Sequence, residues 1–203
     1  MYKGDNMNIN ELTKLSYEEL AHALYMKGIQ DGHSKITDKT GWREKVVGDK
    51  LNHEVYKSIS SGKGTLGEGS DAKCRNSGQR AEYKSKALED GDLNNLFERP
   101  YGNRSYVPLK IQGIYNNAMK PGAIESYKEI DHYFALFYRE RCVLILKVDT
   151  NHVVSSLRRE VERKKNATST NLCTVEVTLR DKHLYEVAFK EQDFFDKHSQ
   201  KKS

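Results

Sequence analysis

Two short, strongly apolar runs, Tyr133 to Tyr138 and Cys142 to Val148, flank the polar triplet Arg139-Glu140-Arg141 and do most to limit the fold. Runs of this length read as buried strands divided by a turn. A membrane span needs about 20 consecutive apolar residues, and no stretch of the chain approaches that. The sheet these strands demand must then be closed by helices supplied elsewhere in the chain.

Such helices are legible. Glu11 to Lys27 carries Leu12, Leu15, Leu20, Ala23, Leu24 and Met26 on one side, and a second helix is expected from Trp42 to about Ser58, with Val47, Leu51 and Val55 at four-residue steps. Ile29 to Gly41 reads as a connection, and Ser60 to Gly69, with four glycines, as a tight or mobile loop. Asp71 to Cys74 then predicts a short strand, Arg75 to Gly78 a turn, and Gln79 to Leu88 a second strand. Glu89 to Ser105 is expected to be a flexible loop and Tyr106 to Tyr115 a third strand, with a short helix after Pro121. Thr150 to Lys165 reads as a helix with Val153, Val154, Leu157 and Val161 inward. Leu172 to Leu179 and His183 to Phe189 read as a hairpin turning at Arg180-Asp181-Lys182. These elements predict an α/β fold with a central mixed sheet flanked by helices. It forms one domain over 1–203, with a loose lead-in over about 1–8 and a frayed tail over about 197–203.

Within this order one segment carries chemistry. Asp71 follows a glycine-rich stretch, and eleven positions later comes Ala81-Glu82-Tyr83-Lys84-Ser85-Lys86. On a strand, side chains two apart share a face, so Glu82 and Lys84 project together. A turn before the strand returns Asp71 beside them. Two carboxylates and a lysine about one point suit metal-assisted phosphodiester hydrolysis. Mg²⁺ takes oxygen ligands and keeps several waters, so Asp71, Glu82 and the Tyr83 carbonyl suffice as its protein ligands. Lys84, a cation, acts electrostatically on the attacking water and the phosphate.

The constellation resembles the PD-(D/E)XK nucleases, the superfamily holding most type II restriction endonucleases. Asp71 matches the aspartate, Glu82 the acidic position and Lys84 the lysine; Ser70 stands where the family name has proline. Many members add a glutamate from the helix before the sheet, for which Glu44 is the candidate and Glu54 the competitor. The resemblance covers roughly Trp42 to Ala87 and implies a restriction-endonuclease-like fold. It further implies Mg²⁺-dependent, sequence-specific cleavage of double-stranded DNA by a homodimer.

A formal charge of +5 is consistent with a polyanionic partner. Candidate DNA contacts are Lys86, the loop residues Arg99, Arg104 and Lys110, and the helix residues Arg158 and Arg159. Competing readings make Glu82, Lys84 and Lys86 the solvated face of an edge strand, Asp71 a turn residue, and Arg158 to Lys165 an ordinary solvated helix. At the level of function they are a structure-selective repair nuclease or a non-catalytic nucleic-acid-binding domain. Gly113-Ile114-Tyr115 spells half of a GIY-YIG signature without the second half, and the histidines, His132 among them, are scattered. The three cysteines show no C-x-x-C spacing and fit free thiols in a reducing compartment. With no basic-then-apolar leader in view, a cytoplasmic protein is the expectation.

Overall fold

The computed structural model describes residues 12–30, 40–56, 70–99, 107–165 and 172–199. Within them a six-stranded mixed sheet runs in the order β1 (His53–Val55), β2 (Ala72–Cys74), β3 (Arg80–Leu88), β5 (Asp131–Tyr138), β6 (Arg141–Val148) and β8 (Tyr185–Lys190). Only β3 and β5 pair in parallel; every other junction in this sheet is antiparallel. The two apolar runs form the hairpin β5–β6, buried on both faces. Its turn places Arg139 and Glu140 at positive φ (48° and 63°), the geometry of a two-residue hairpin loop. Glu140 holds it by a buried ion pair to Arg43, 2.8 Å away.

Two cores form, one on each sheet face. On one, α2 (Thr40–Leu51) seats Val46 and Val47 against Ala81, Tyr83, Tyr133, Ala135 and Phe137. On the other, Phe134, Leu136, Leu144 and Leu146 pack beneath α5 (Thr150–Lys164) and a separate two-stranded ribbon of β4 (Ile111–Tyr115) and β7 (Cys173–Val177). Helix α5 is capped by the Asp149 carboxylate, which accepts from the His152 N–H. Cys142 and Cys173 are buried and, with Cys74, unbridged.

Several expectations need correction. The expected first helix is interrupted by a turn over 13–15 and α1 (Tyr17–Gln30) begins at Tyr17, where Ser16 and Glu19 close a reciprocal capping box, while Glu11 lies outside the described residues. The second helix stops at Leu51, since Asn52 enters the left-handed region (φ 55°) and His53–Val55 becomes an edge strand. The segment after Glu89 contains α3 (Asp92–Leu96), whose Leu93 and Leu96 are buried. The expected third strand shortens to Ile111–Tyr115 and leaves the main sheet. The expected C-terminal hairpin does not form either. β7 pairs with β4 and β8 with β6, because Cys173, Val175 and Val177 fill the core beneath the ribbon while β6 offers its open edge from Leu144 to Val148. Lys197 lies in a helix, α6 (Gln192–Ser199), held by buried His198 among Phe97, Tyr138 and Phe194. The helix expected after Pro121 is present as α4 (Ala123–Tyr127). The glycine-rich loop lies outside the described residues.

Candidate active site

The site forms where β2 parts from β3. The two strands pair only through Ala72–Ala81 and Lys73–Arg80. The Asp71 N–H still donates to the Ala81 carbonyl at 2.9 Å, and the next donor along β3, the Tyr83 N–H, is taken up by the Asp71 carboxylate at 2.6 Å. Asp71 thus extends the ladder with its side chain where backbone pairing ends, which fixes its carboxylate at the strand edge. In an extended strand a residue's carbonyl points along the same edge as its N–H, so the Tyr83 carbonyl is directed to the Asp71 side.

Glu82 and Lys84 share a face, and the Lys84 ammonium lies 2.5 Å from the Glu82 carboxylate. Their side chains are only 12% and 19% exposed. β3 is an inner strand of the sheet, which overturns the solvated-edge reading of these two residues. The Lys84 cation also stands 4.8 Å from the centre of the Tyr115 ring. Tyr115 belongs to β4, so the ribbon covers the lysine. That close approach requires Gly113: a Cβ there would lie 2.5 Å from Phe134 Cζ and 3.0 Å from Lys84 Cγ. The tripeptide that mimics half a nuclease signature thus matters for a steric reason.

Glu44 comes from α2. With Arg43, Asp71, Lys84, Ile114 and Asn116 it lines a cavity of about 410 Å³. Burial raises the Glu44 carboxyl to about 7, reinforced by Asp71 and Glu82 and opposed by Lys84. Burial also raises Asp71, against the pull of Lys84 and the Tyr83 N–H. It raises Glu82 too, with Lys84 opposing and Asp71 reinforcing. Three acids and one lysine therefore feel one another's charge in a partly dry site, an arrangement more typical of function than of structural packing. Glu54, the competitor, is exposed on β1 and paired with Lys73 at 3.3 Å.

Beneath the site, His132 lies in register with Glu82 and is fully buried. Its Nε2–H donates to the Tyr127 carbonyl, so Nδ1 accepts from the Tyr115 hydroxyl, both at 3.0 Å. Burial lowers its pKa to about 4 and keeps the ring neutral. On the opposite face, His53 Nδ1 and the Tyr83 hydroxyl are 2.7 Å apart, anchoring β3 from behind.

Among the described residues, no three His, Cys, Asp or Glu side chains are clustered to hold a metal ion. The side-chain donors available are the Asp71 and Glu82 carboxylates. They nevertheless fit a hard divalent cation: both are buried oxygen donors, with Asp71 close enough to oppose ionisation of Glu82, and such a pair gains from a positive charge beside it.

The expected DNA contacts do not gather at this cavity. Lys86 pairs with Asp92 at 3.6 Å, Arg99 lies over the Phe97 ring, and Arg158 pairs with Glu125 at 2.9 Å. Lys110 pairs with Glu176 at 2.7 Å. It shares with Arg159 a second, larger cleft of about 500 Å³. That cleft holds no comparable group of raised carboxyls, so the smaller cavity is the better candidate for chemistry. Arg104 lies outside the described residues. Sequence reasoning missed Arg43 and Tyr115. Arg43 adjoins the candidate Glu44 in the chain and could have been found by that proximity, whereas Tyr115 reaches the site from a strand distant in the chain and no local signal marks it. No helix is long and apolar enough to cross a membrane among the described residues. No protein-family model matches the chain, and no curated protein is significantly similar to it in sequence.

Proposed function

We propose that the chain is a Mg²⁺-dependent endonuclease of the PD-(D/E)XK type, with a restriction-endonuclease-like fold, that cleaves double-stranded DNA at specific sequences. One observation carries the reading. Asp71, Glu82 and Lys84, spaced as in that superfamily, meet at a single notch in the sheet, with Glu44 facing them from the preceding helix. Asp71 and Glu82, with the Tyr83 carbonyl, would hold the ion, which when bound acidifies water and offsets charge on the phosphate. Lys84 holds a fixed cation beside the carboxylates, with its stem clamped by Gly113 and Phe134. It is placed to stabilise negative charge on the scissile phosphate. Glu44, whose carboxyl ionises near neutrality, is able to take up or release a proton at the cavity wall. A single-domain enzyme cutting both strands would act most simply as a two-fold symmetric homodimer.

The test is incubation of the purified protein with phage DNA, with and without Mg²⁺, followed by mapping of fragment ends. Discrete Mg²⁺-dependent fragments are expected, and Lys84→Ala should slow cleavage on the order of a hundredfold or more while still binding duplex. Cutting confined to junctions or flaps would indicate a structure-selective nuclease. DNA binding without hydrolysis would indicate a non-catalytic domain. Cleavage by Lys84→Ala at the parental rate would remove the catalytic assignment.

A further inference from the structure

The ribbon β4–β7 does more than cover Lys84. Its inner face, Ile111, Gly113 and Tyr115 with Cys173, Val175 and Val177, is buried. By alternation, Gln112 and Ile114 point outward, with Lys110 before them and Asn116 after. Register places Thr174 opposite Ile114 and Glu176 opposite Gln112. Ile114 and Asn116 line the cavity of Glu44, Asp71 and Lys84. Lys110, Gln112, Thr174 and Glu176 line the neighbouring cleft, whose wall is α5 with Arg159. One strand therefore carries a continuous outer surface from the carboxylates to a basic helix.

Resting on the nuclease reading above, we propose that this outer face of the ribbon is the base-reading surface, and that its occupant is a groove of duplex DNA. Three observations support the assignment. First, the tract is continuous with the site, so bases beside the scissile phosphate must pass over it. Second, its size fits: five residues per strand span about 17 Å, and the major groove, about 12 Å wide, admits a two-stranded ribbon. Third, its chemistry is that of base edges rather than of phosphates alone. Gln112 and Asn116 carry the paired donor and acceptor that match adenine, Glu176 is an acceptor suited to the cytosine amino group, and exposed Ile114 suits a thymine methyl. Glu176 also accepts from the Gln112 amide and pairs with Lys110, which fixes these side chains before DNA arrives. Arg159, outside that network on the cleft wall, is left to the phosphates.

The experiment measures binding of a random-sequence pool of short duplexes by fluorescence anisotropy, and sequences the ends of Mg²⁺-dependent fragments. Ile114→Glu should weaken binding by about tenfold or more. Gln112→Ala should relax preference at one base position by about tenfold. Lys110→Ala, outside the strand, serves as the second probe if Ile114→Glu melts early. Val187→Glu, an exposed position on β8, should leave binding and cleavage pattern at parental levels. If the ribbon variants bind and cut as the parent does, the ribbon assignment falls while the nuclease reading stands. If parental fragments show no sequence preference, the ribbon assignment falls together with the sequence-specific part of that reading, and only Mg²⁺-dependent cleavage stands. If the parent neither binds duplex nor cuts it, both fall.

Discussion

Gly113→Ala tests the packing that holds Lys84 in place. The added methyl would sit 2.5 and 2.6 Å from two carbons of the Phe134 ring and 3.0 Å from Lys84 Cγ, where carbon contacts settle at about 3.5–4.0 Å. Phe134 is fully buried at the middle of β5 and cannot swing away. Either the ring leaves its rotamer or the ribbon lifts, and overpacking of this kind costs about 1–3 kcal/mol. Replacing glycine also narrows the unfolded ensemble, which offsets about 0.4–1 kcal/mol of that. The net loss should be about 0.5–2 kcal/mol, lowering Tm by roughly 1–8 °C for a chain of this size. Gly91→Ala is the control. Nothing lies within 4 Å of its added carbon and its φ is −66°, so its Tm should equal or exceed the parent's. Thermal melts of the two variants settle the sign. A double-mutant cycle with Phe134→Leu should show the Gly113→Ala cost shrinking when the ring is removed. A Gly113→Ala protein melting at or above the parental Tm would refute the clamp and, with it, the account of how Lys84 is positioned.

Removing Glu140 leaves Arg43 buried beside Trp42 and Phe137 without its carboxylate partner; Glu140→Ala should cost about 3–5 kcal/mol by chemical denaturation. His132 titrates at about 4 in the fold against 6.5 in the unfolded chain, so the unfolded state takes up a proton first as pH falls. Its contribution is complete above pH 6.5 and is lost as pH drops towards 4. The parent should therefore lose about 2–3 kcal/mol more than His132→Gln between pH 7 and 4.5. Glu44 runs the other way. Its folded value of about 7 exceeds its usual 4.5, so the fold is favoured while the group is protonated and that advantage disappears as pH rises through 7. Glu44→Gln should melt higher than the parent at pH 8 and no higher at pH 4, in buffers without divalent cations.

Elements whose signal is local can be read directly from the residue pattern. The apolar runs of β5 and β6 had to be buried whichever partners they found. The stripe of α5, the turn ending at Gly78 and the two-residue spacing that puts Glu82 beside Lys84 follow from short-range geometry. Even the meeting of Asp71 with that pair was legible, because a tight turn between short strands leaves few alternatives. Pairing between distant segments was not. β7 and β8 look like a hairpin because they are adjacent and alternate correctly, yet each gains more burial from β4 or β6 than from the other. Likewise no local pattern says that Tyr115 will lie over Lys84, or that Arg43 will reach Glu140 across 97 positions. Only tertiary packing decided these contacts, since burial depends on which surfaces remain uncovered once the sheet has formed. For the same reason the charge state of Glu44 was fixed by its neighbours in space.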